Sequence, residues 1–154
     1  KVLQETHFPP ERLEIEITES LLMQNLDSAV HTMNQLNQLG VKLSIDDFGT
    51  GYSSLSYLKR FPVQKIKIDQ SFIKDLEDDG DDAAIALAII QLGHTLGMTV
   101  VAEGVESEAQ LKLLQKMGCD TIQGYYFSRP IKHEDVEKWI NNADVSSDNE
   151  IAMS

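Results

Sequence analysis

Two adjacent aspartates, Asp46 and Asp47, close the apolar start of "LSIDDFGTGYSSL" (43–55), and a Gly-Thr-Gly turn follows them. Like charges side by side, where a strand enters a domain, repel unless cations compensate them or protons are taken up. Comparable polar residues recur at the ends of other apolar runs: Glu16 in "LEIEIT", Lys67 in "VQKIKID", Glu103 in "MTVVAE" and Gln123 in "CDTIQG". Converging carboxylates suit hard divalent cations with oxygen ligands, Mg²⁺ or Mn²⁺. Two such ions about 3.5–4 Å apart clamp the attacking and leaving oxygens of a phosphodiester hydrolysis. A lysine beside them can orient the attacking hydroxide or stabilise phosphoryl charge. Residue types alone leave two other chemistries open. One is proton abstraction beside a carbonyl, with Mg²⁺ holding the enolate; the other is a Schiff-base lysine. Neither needs a doubled aspartate.

The elements that must position these side chains alternate between strand and helix patterns. Strands are predicted over 13–18, 41–46, 63–69, 98–103 and 119–124. Helices are predicted over 26–40, with Ala29, Val30, Met33, Leu36 and Leu39 on one face, and over 52–61. Another spans 81–97, with Ile85, Ala88, Ile89, Leu92 and Leu96 as its buried stripe. Ser107 and Gln110 have capping-box spacing and open a helix that Gly118 stops. The last helix covers 133–143, where Trp139 is expected to pack on the wall of the domain. The acidic polar tail, 144–154, is expected to be disordered.

Five successive strand–helix units imply a parallel sheet with right-handed crossovers. Such sheets are covered on both faces, yet Glu14 and Glu16 share one face, and Lys65, Lys67 and Asp69 share another. A TIM-like (β/α)₈ barrel removes the conflict, because inward residues at the C-terminal strand ends line its active site. The fold expected is α/β, with this chain supplying five βα units of that barrel. Gly49, Gly51, Gly104 and Gly124 follow the polar strand ends and let the chain turn close to a ligand.

Bulk composition narrows the partners. Lys and Arg number 13 against 25 Asp and Glu, a net charge of −12, which argues against DNA or RNA backbones. A single cysteine, Cys119, excludes an intrachain disulfide framework and fits a reducing, cytoplasmic setting. No apolar run approaches the ~20 residues of a membrane span. His7, His31, His94 and His133 lack metal-ligand spacing, and the acidic run 75–82 reads as a solvated loop and helix start. Arg129 is offered either to a phosphate or guanine or to a salt bridge.

The segments "LEIEITES", "DDFGTGYSSLSYLKRFPVQKIKIDQSFI", "VVAEGVE" and "QGYYFSRP", in this order, resemble the later motifs of the EAL-domain cyclic-di-GMP phosphodiesterases of bacteria. The resemblance runs from about residue 10 to about residue 143. It implies a TIM-like barrel, two Mg²⁺ or Mn²⁺ ions, and hydrolysis of cyclic di-GMP to linear pGpG. By the same resemblance Glu16, Asp46 and Asp47 are metal ligands, with Asp46 shared by both ions. Lys67 stands near the attacking water, which Glu103 holds. Glu19 pins the loop Phe48–Ser54, which in the family couples dimerisation to the site. Gln123 and, less directly, Glu106 belong to the substrate side.

The Glu-Ala-Leu segment that names the family is absent, as is its early Asn ligand. Residues 1–143 are therefore expected to be the C-terminal part of an EAL domain, inactive alone. It is expected to oligomerise through loop 48–54 and neighbouring helices or through unpaired sheet edges. The alternative is a degenerate EAL domain that binds the dinucleotide or a protein without cutting it.

Overall fold

The computed structural model describes residues 1–24, 26–51, 55–77 and 80–145. A short helix α1 (Val2–Thr6) and a 3₁₀ turn (Pro10–Arg12) lead into β1 (Glu14–Thr18). Then come α2 (Glu19–Gln24), α3 (Leu26–Gln38), β2 (Lys42–Phe48) and α4 (Leu55–Leu58). The chain continues through β3 (Lys65–Ile68), α5 (Ser71–Lys74), α6 (Gly80–Thr95) and β4 (Thr99–Ala102). It ends with α7 (Glu108–Met117), β5 (Thr121–Ile122) and α8 (His133–Val145). The five strands form one sheet in the order β1-β2-β3-β4-β5, every pair parallel. This is the expected α/β architecture. Among the described residues β1 and β5 have one neighbour each.

Alternation along the strands gives the sheet two unlike faces. Leu43, Ile45, Ile66, Ile68, Val100 and Ala102 are buried in one apolar cluster with residues of the covering helices. The other face carries Glu14, Glu16, Ser44, Asp46, Lys65 and Lys67. Its lower part is tied by Lys65 Nζ to Glu14 Oε2 at 2.7 Å. Burial raises the Glu14 pKa, but the Lys65 hydrogen bond and charge outweigh it and hold the carboxyl below its ordinary value.

One irregularity matters most. Ile45 pairs with Ile66 and Phe48 with Ile68, so two residues, Asp46 and Asp47, stand opposite Lys67 alone. Such a bulge breaks the two-residue period. Asp47 takes the left-handed conformation at φ 53°, which Asp tolerates better than most residues. Without the extra residue, neighbouring side chains would point to opposite faces.

Several local expectations change. Leu39 is 61% exposed, because α3 ends at Gln38 and Leu39 lies in the turn to Gly40. In α6 the buried line is Ala86, Ile89, Ile90 and Gly93, whereas Ile85 and Ala88 are exposed. The helix is apolar nearly all round, so periodicity does not choose its face. Gly93 does: a Cβ there would overlap Val100 Cγ2, so α6 lies directly on β4. The helix predicted over 52–61 covers only Leu55–Leu58; residues 52–54 lie outside the described set. Trp139 is not packed on a wall but is 39% exposed, with Val136 and Ile140 beside it on an exposed α8. That helix reaches Val145, and the tail expected beyond it lies outside the described residues. Among the described residues no helix is long and apolar enough to cross a membrane.

Candidate active site

At the C-terminal ends of β1 to β4 the polar face gathers around one cation. Lys67 Nζ lies 2.9 Å from Glu16 Oε1, 3.1 Å from Asp46 Oδ1 and 2.7 Å from Glu103 Oε1. The lysine is 6% exposed. Burial by itself would lower its pKa, but hydrogen bonds to Glu103, Glu16 and Asp46 overcome that and hold it above the ordinary lysine value. These partners hold it as an ammonium at neutral pH.

Negative charge remains in excess. Oxygens of Asp46, Asp47 and Glu103 all lie within 4.8 Å of one another. The Asp47 pKa is held above its ordinary value by burial first, then by the charge of Asp46 and by contact with Asp69. Three converging carboxylates, acidic company for the outermost, and hard oxygen donors throughout fit a divalent cation. Glu16 falls outside this trio. It is turned onto Lys67 with about half of its side chain exposed (48%).

Asp47 and Glu103 of the trio open into a cleft of about 280 Å³, lined with them by Asp69, Gln70, Gly104, Glu106, Gln123, Gly124 and Tyr125. Four of the expected site residues, Asp47, Glu103, Glu106 and Gln123, thus share one space. Gly124 is placed by close approach, since a Cβ there would overlap the Val105 backbone. Glu19 sits behind the site and is 1% exposed. Its Oε2 accepts the Gly49 N–H at 2.9 Å, and a Cβ on Gly51 would stand 2.7 Å from Oε1. The start of the loop after the double aspartate is therefore held by this carboxylate. The Arg129 guanidinium lies over the Tyr125 ring, 4.9 Å from the centroid.

Asp69, Gln70 and Tyr125 were absent from the expected site. Asp69 carried a signal, since it follows Lys67 at strand spacing on the same face. Gln70 and Tyr125 lie in loops, where no periodicity points anywhere.

The family model described as "EAL domain" matches residues 1–130. The chain belongs to the EAL-domain family. Among relatives of this EAL chain, the signaling protein YkoW of Bacillus subtilis is 50% identical over 138 residues, 90% of this chain and 17% of that protein. The bifunctional diguanylate cyclase/cyclic di-GMP phosphodiesterase MucR of Pseudomonas aeruginosa is 51% identical over 125 residues, 81% of this chain and 18% of that protein. The chain thus spans less than a fifth of the length of these two relatives. The solved MucR phosphodiesterase in complex with c-di-GMP superposes at a TM-score of 0.85 and 48% identity, covering 87% of this chain and 54% of that one. BlrP1 of Klebsiella pneumoniae, solved with manganese and cyclic di-GMP, gives 0.77 and 40%, covering 83% of this chain and 33% of that one.

Proposed function

We propose that this EAL chain is the metal- and water-positioning part of a cytoplasmic phosphodiesterase that opens cyclic di-GMP to linear pGpG with two Mg²⁺ or Mn²⁺ ions. The observation that carries the reading is the Asp46–Asp47–Glu103 trio, gathered beside Lys67 at one end of a parallel sheet. Divalent ions, when bound, supply Lewis-acid charge to the phosphodiester and a nucleophile from water at neutral pH. Asp46, Asp47 and Glu103 would hold the cations, and Glu16, now paired with Lys67, would complete the set. Lys67 orients the attacking water and, as a fixed ammonium, stabilises charge that develops on the phosphoryl group. Gln123 and Glu106, which both line the cleft, face the substrate. Glu19 keeps the loop from Phe48 in place.

Residues 1–143 are, in this reading, one portion of a larger barrel. The 154-residue polypeptide alone turns over no cyclic di-GMP, and its open edges and loop 48–54 bring copies together. The test is made on the full-length protein. Chromatography should show Mn²⁺-dependent pGpG from cyclic di-GMP, stopped by chelation and by Asp46→Asn. Binding of cyclic di-GMP without any pGpG, with Mn²⁺ in excess, would replace this reading by that of a non-catalytic sensor.

A further inference from the structure

The two long walls of the cleft belong to different crossovers. One is Asp69–Gln70 at the exit of β3; the other is Glu103–Glu106 at the exit of β4. They touch directly, since a Cβ on Gly104 would lie 2.7 Å from Gln70 Cβ. Behind the contact sits Gln110, 7% exposed, at the third position of α7. Its Oε1 accepts the Glu106 N–H at 2.8 Å and the Ser107 N–H at 3.0 Å. Its Nε2 donates to Ile73 O at 3.0 Å and Lys74 O at 3.2 Å, the last carbonyls of α5. A side-chain amide has two donors and two acceptor sites, and here all four are used.

Helix capping needs only part of this. A glutamate at the same position closes a capping box equally well, but it has no proton for Ile73 and Lys74. The geometry points to Gln110 as a positioning residue: a strut that fixes the Asp69–Gln70 wall against the Glu103–Glu106 wall. It thereby sets the spacing of Glu103 from Asp46 and Asp47. The strut is a property of the metal-free fold; its consequence for metal uptake rests on the function proposed above.

Three variants separate strut from cap. Gln110→Glu keeps both acceptor bonds and loses the two donor bonds. Gln110→Met loses all four. Ser107→Ala weakens the cap and loses the Ser107 Oγ hydrogen bond to Glu77, but keeps all four bonds of the Gln110 amide. Amide hydrogen exchange on the metal-free chain is the first readout. Gln110→Glu should speed exchange across 69–74, whereas Ser107→Ala should speed it around the start of α7 and at Glu77 but leave 69–74 unchanged. Wild-type exchange across 69–74 in Gln110→Glu would overturn the strut. Manganese affinity, read by electron paramagnetic resonance of free Mn²⁺, is the second. Both Gln110 variants should bind about 10-fold more weakly or worse, the usual effect of losing an outer-shell support, with Ser107→Ala unchanged. Unchanged affinity in Gln110→Glu would overturn the link to the site. A wild-type chain that takes up no Mn²⁺ would instead sink the metal reading, and exchange alone would then decide the strut.

Discussion

Lys67 Nζ and Glu103 Oε1 are 2.7 Å apart across the β3–β4 step, and the same ammonium reaches Asp46 on β2 and Glu16 on β1. One central cation therefore ties four strands together. Lys67→Met leaves those carboxylates facing one another, and breaking a buried pair by removing one partner costs about 3 kcal/mol or more. The variant should melt well below wild type in chelator, with part of the loss recovered on adding Mn²⁺. Equal melting in chelator would show that the ion pairs contribute nothing. The sign of the pH dependence follows from the raised lysine pKa. Its contribution to stability is complete below the unfolded value of about 10.4 and is lost only as pH rises through the higher folded value. No change from this group is expected between pH 6 and 9.

Asp47 behaves in the opposite sense. Its pKa is raised by burial and acidic neighbours, so its charge opposes folding as pH rises through that value. Asp47→Asn keeps a residue that tolerates the left-handed backbone. It should raise the melting temperature of the metal-free chain at neutral pH, each kcal/mol being worth about 2–4 °C. The same variant should bind Mn²⁺ more weakly. A lower melting temperature in chelator would refute the repulsion argument.

Strand positions were legible in the sequence because period-two alternation and polar strand ends are local signals. Glu16, Asp46, Lys67 and Glu103 could be placed together on that basis, and the structure brings the three carboxylates to the Lys67 ammonium. Three kinds of feature were not legible. The buried side of α6 is set by Gly93 against Val100, a contact between distant residues that an all-apolar helix does not encode. The four-residue helix α5 is too short to show a period. The bulge that turns Asp46 and Asp47 the same way is a matter of pairing with Lys67, invisible in a single strand. Capping, by contrast, is local: Ser107 and Gln110 form the box their spacing predicts.

Gly124→Ala tests how the far wall is held. A methyl group there collides with the backbone of Val105, and backbone cannot rotate out of the way. Overpacking of this kind costs about 1–3 kcal/mol or more. Because Gln123 and Gly124 line the cleft with Glu103, affinity for cyclic di-GMP in the full-length protein should fall with it. Wild-type melting and affinity together would mean that the loop is looser than its contacts imply.

Trp139, the single tryptophan, reports on assembly of the 154-residue polypeptide. It shares an exposed helix face with Val136 and Ile140, and among the described residues β1 and β5 have one strand neighbour each. Covering an aromatic or aliphatic side chain is worth about 1.5–3 kcal/mol. Light scattering should show species larger than a monomer, and Trp139 emission should shift to the blue as concentration rises. Trp139→Lys should increase the monomer fraction. A monomer with concentration-independent emission would count against self-association.

The extra residue in β2 also acts as a phase shifter. Before it, even-numbered positions such as Ser44 and Asp46 face the polar side and odd-numbered ones face the helices. After it, Phe48 is buried in the core at 4% exposure. Deleting either aspartate would restore the regular alternation with Phe48 still opposite Ile68 in the core, and would leave one carboxylate where the polar face now has two. Replacing an aspartate removes a charge; removing one also removes the bulge, while the rest of the strand keeps its register. Length at this point therefore carries chemistry rather than packing. A deletion of Asp46 or Asp47 should fold yet bind Mn²⁺ more weakly, and a deletion that fails to fold would show that the bulge also supports the core.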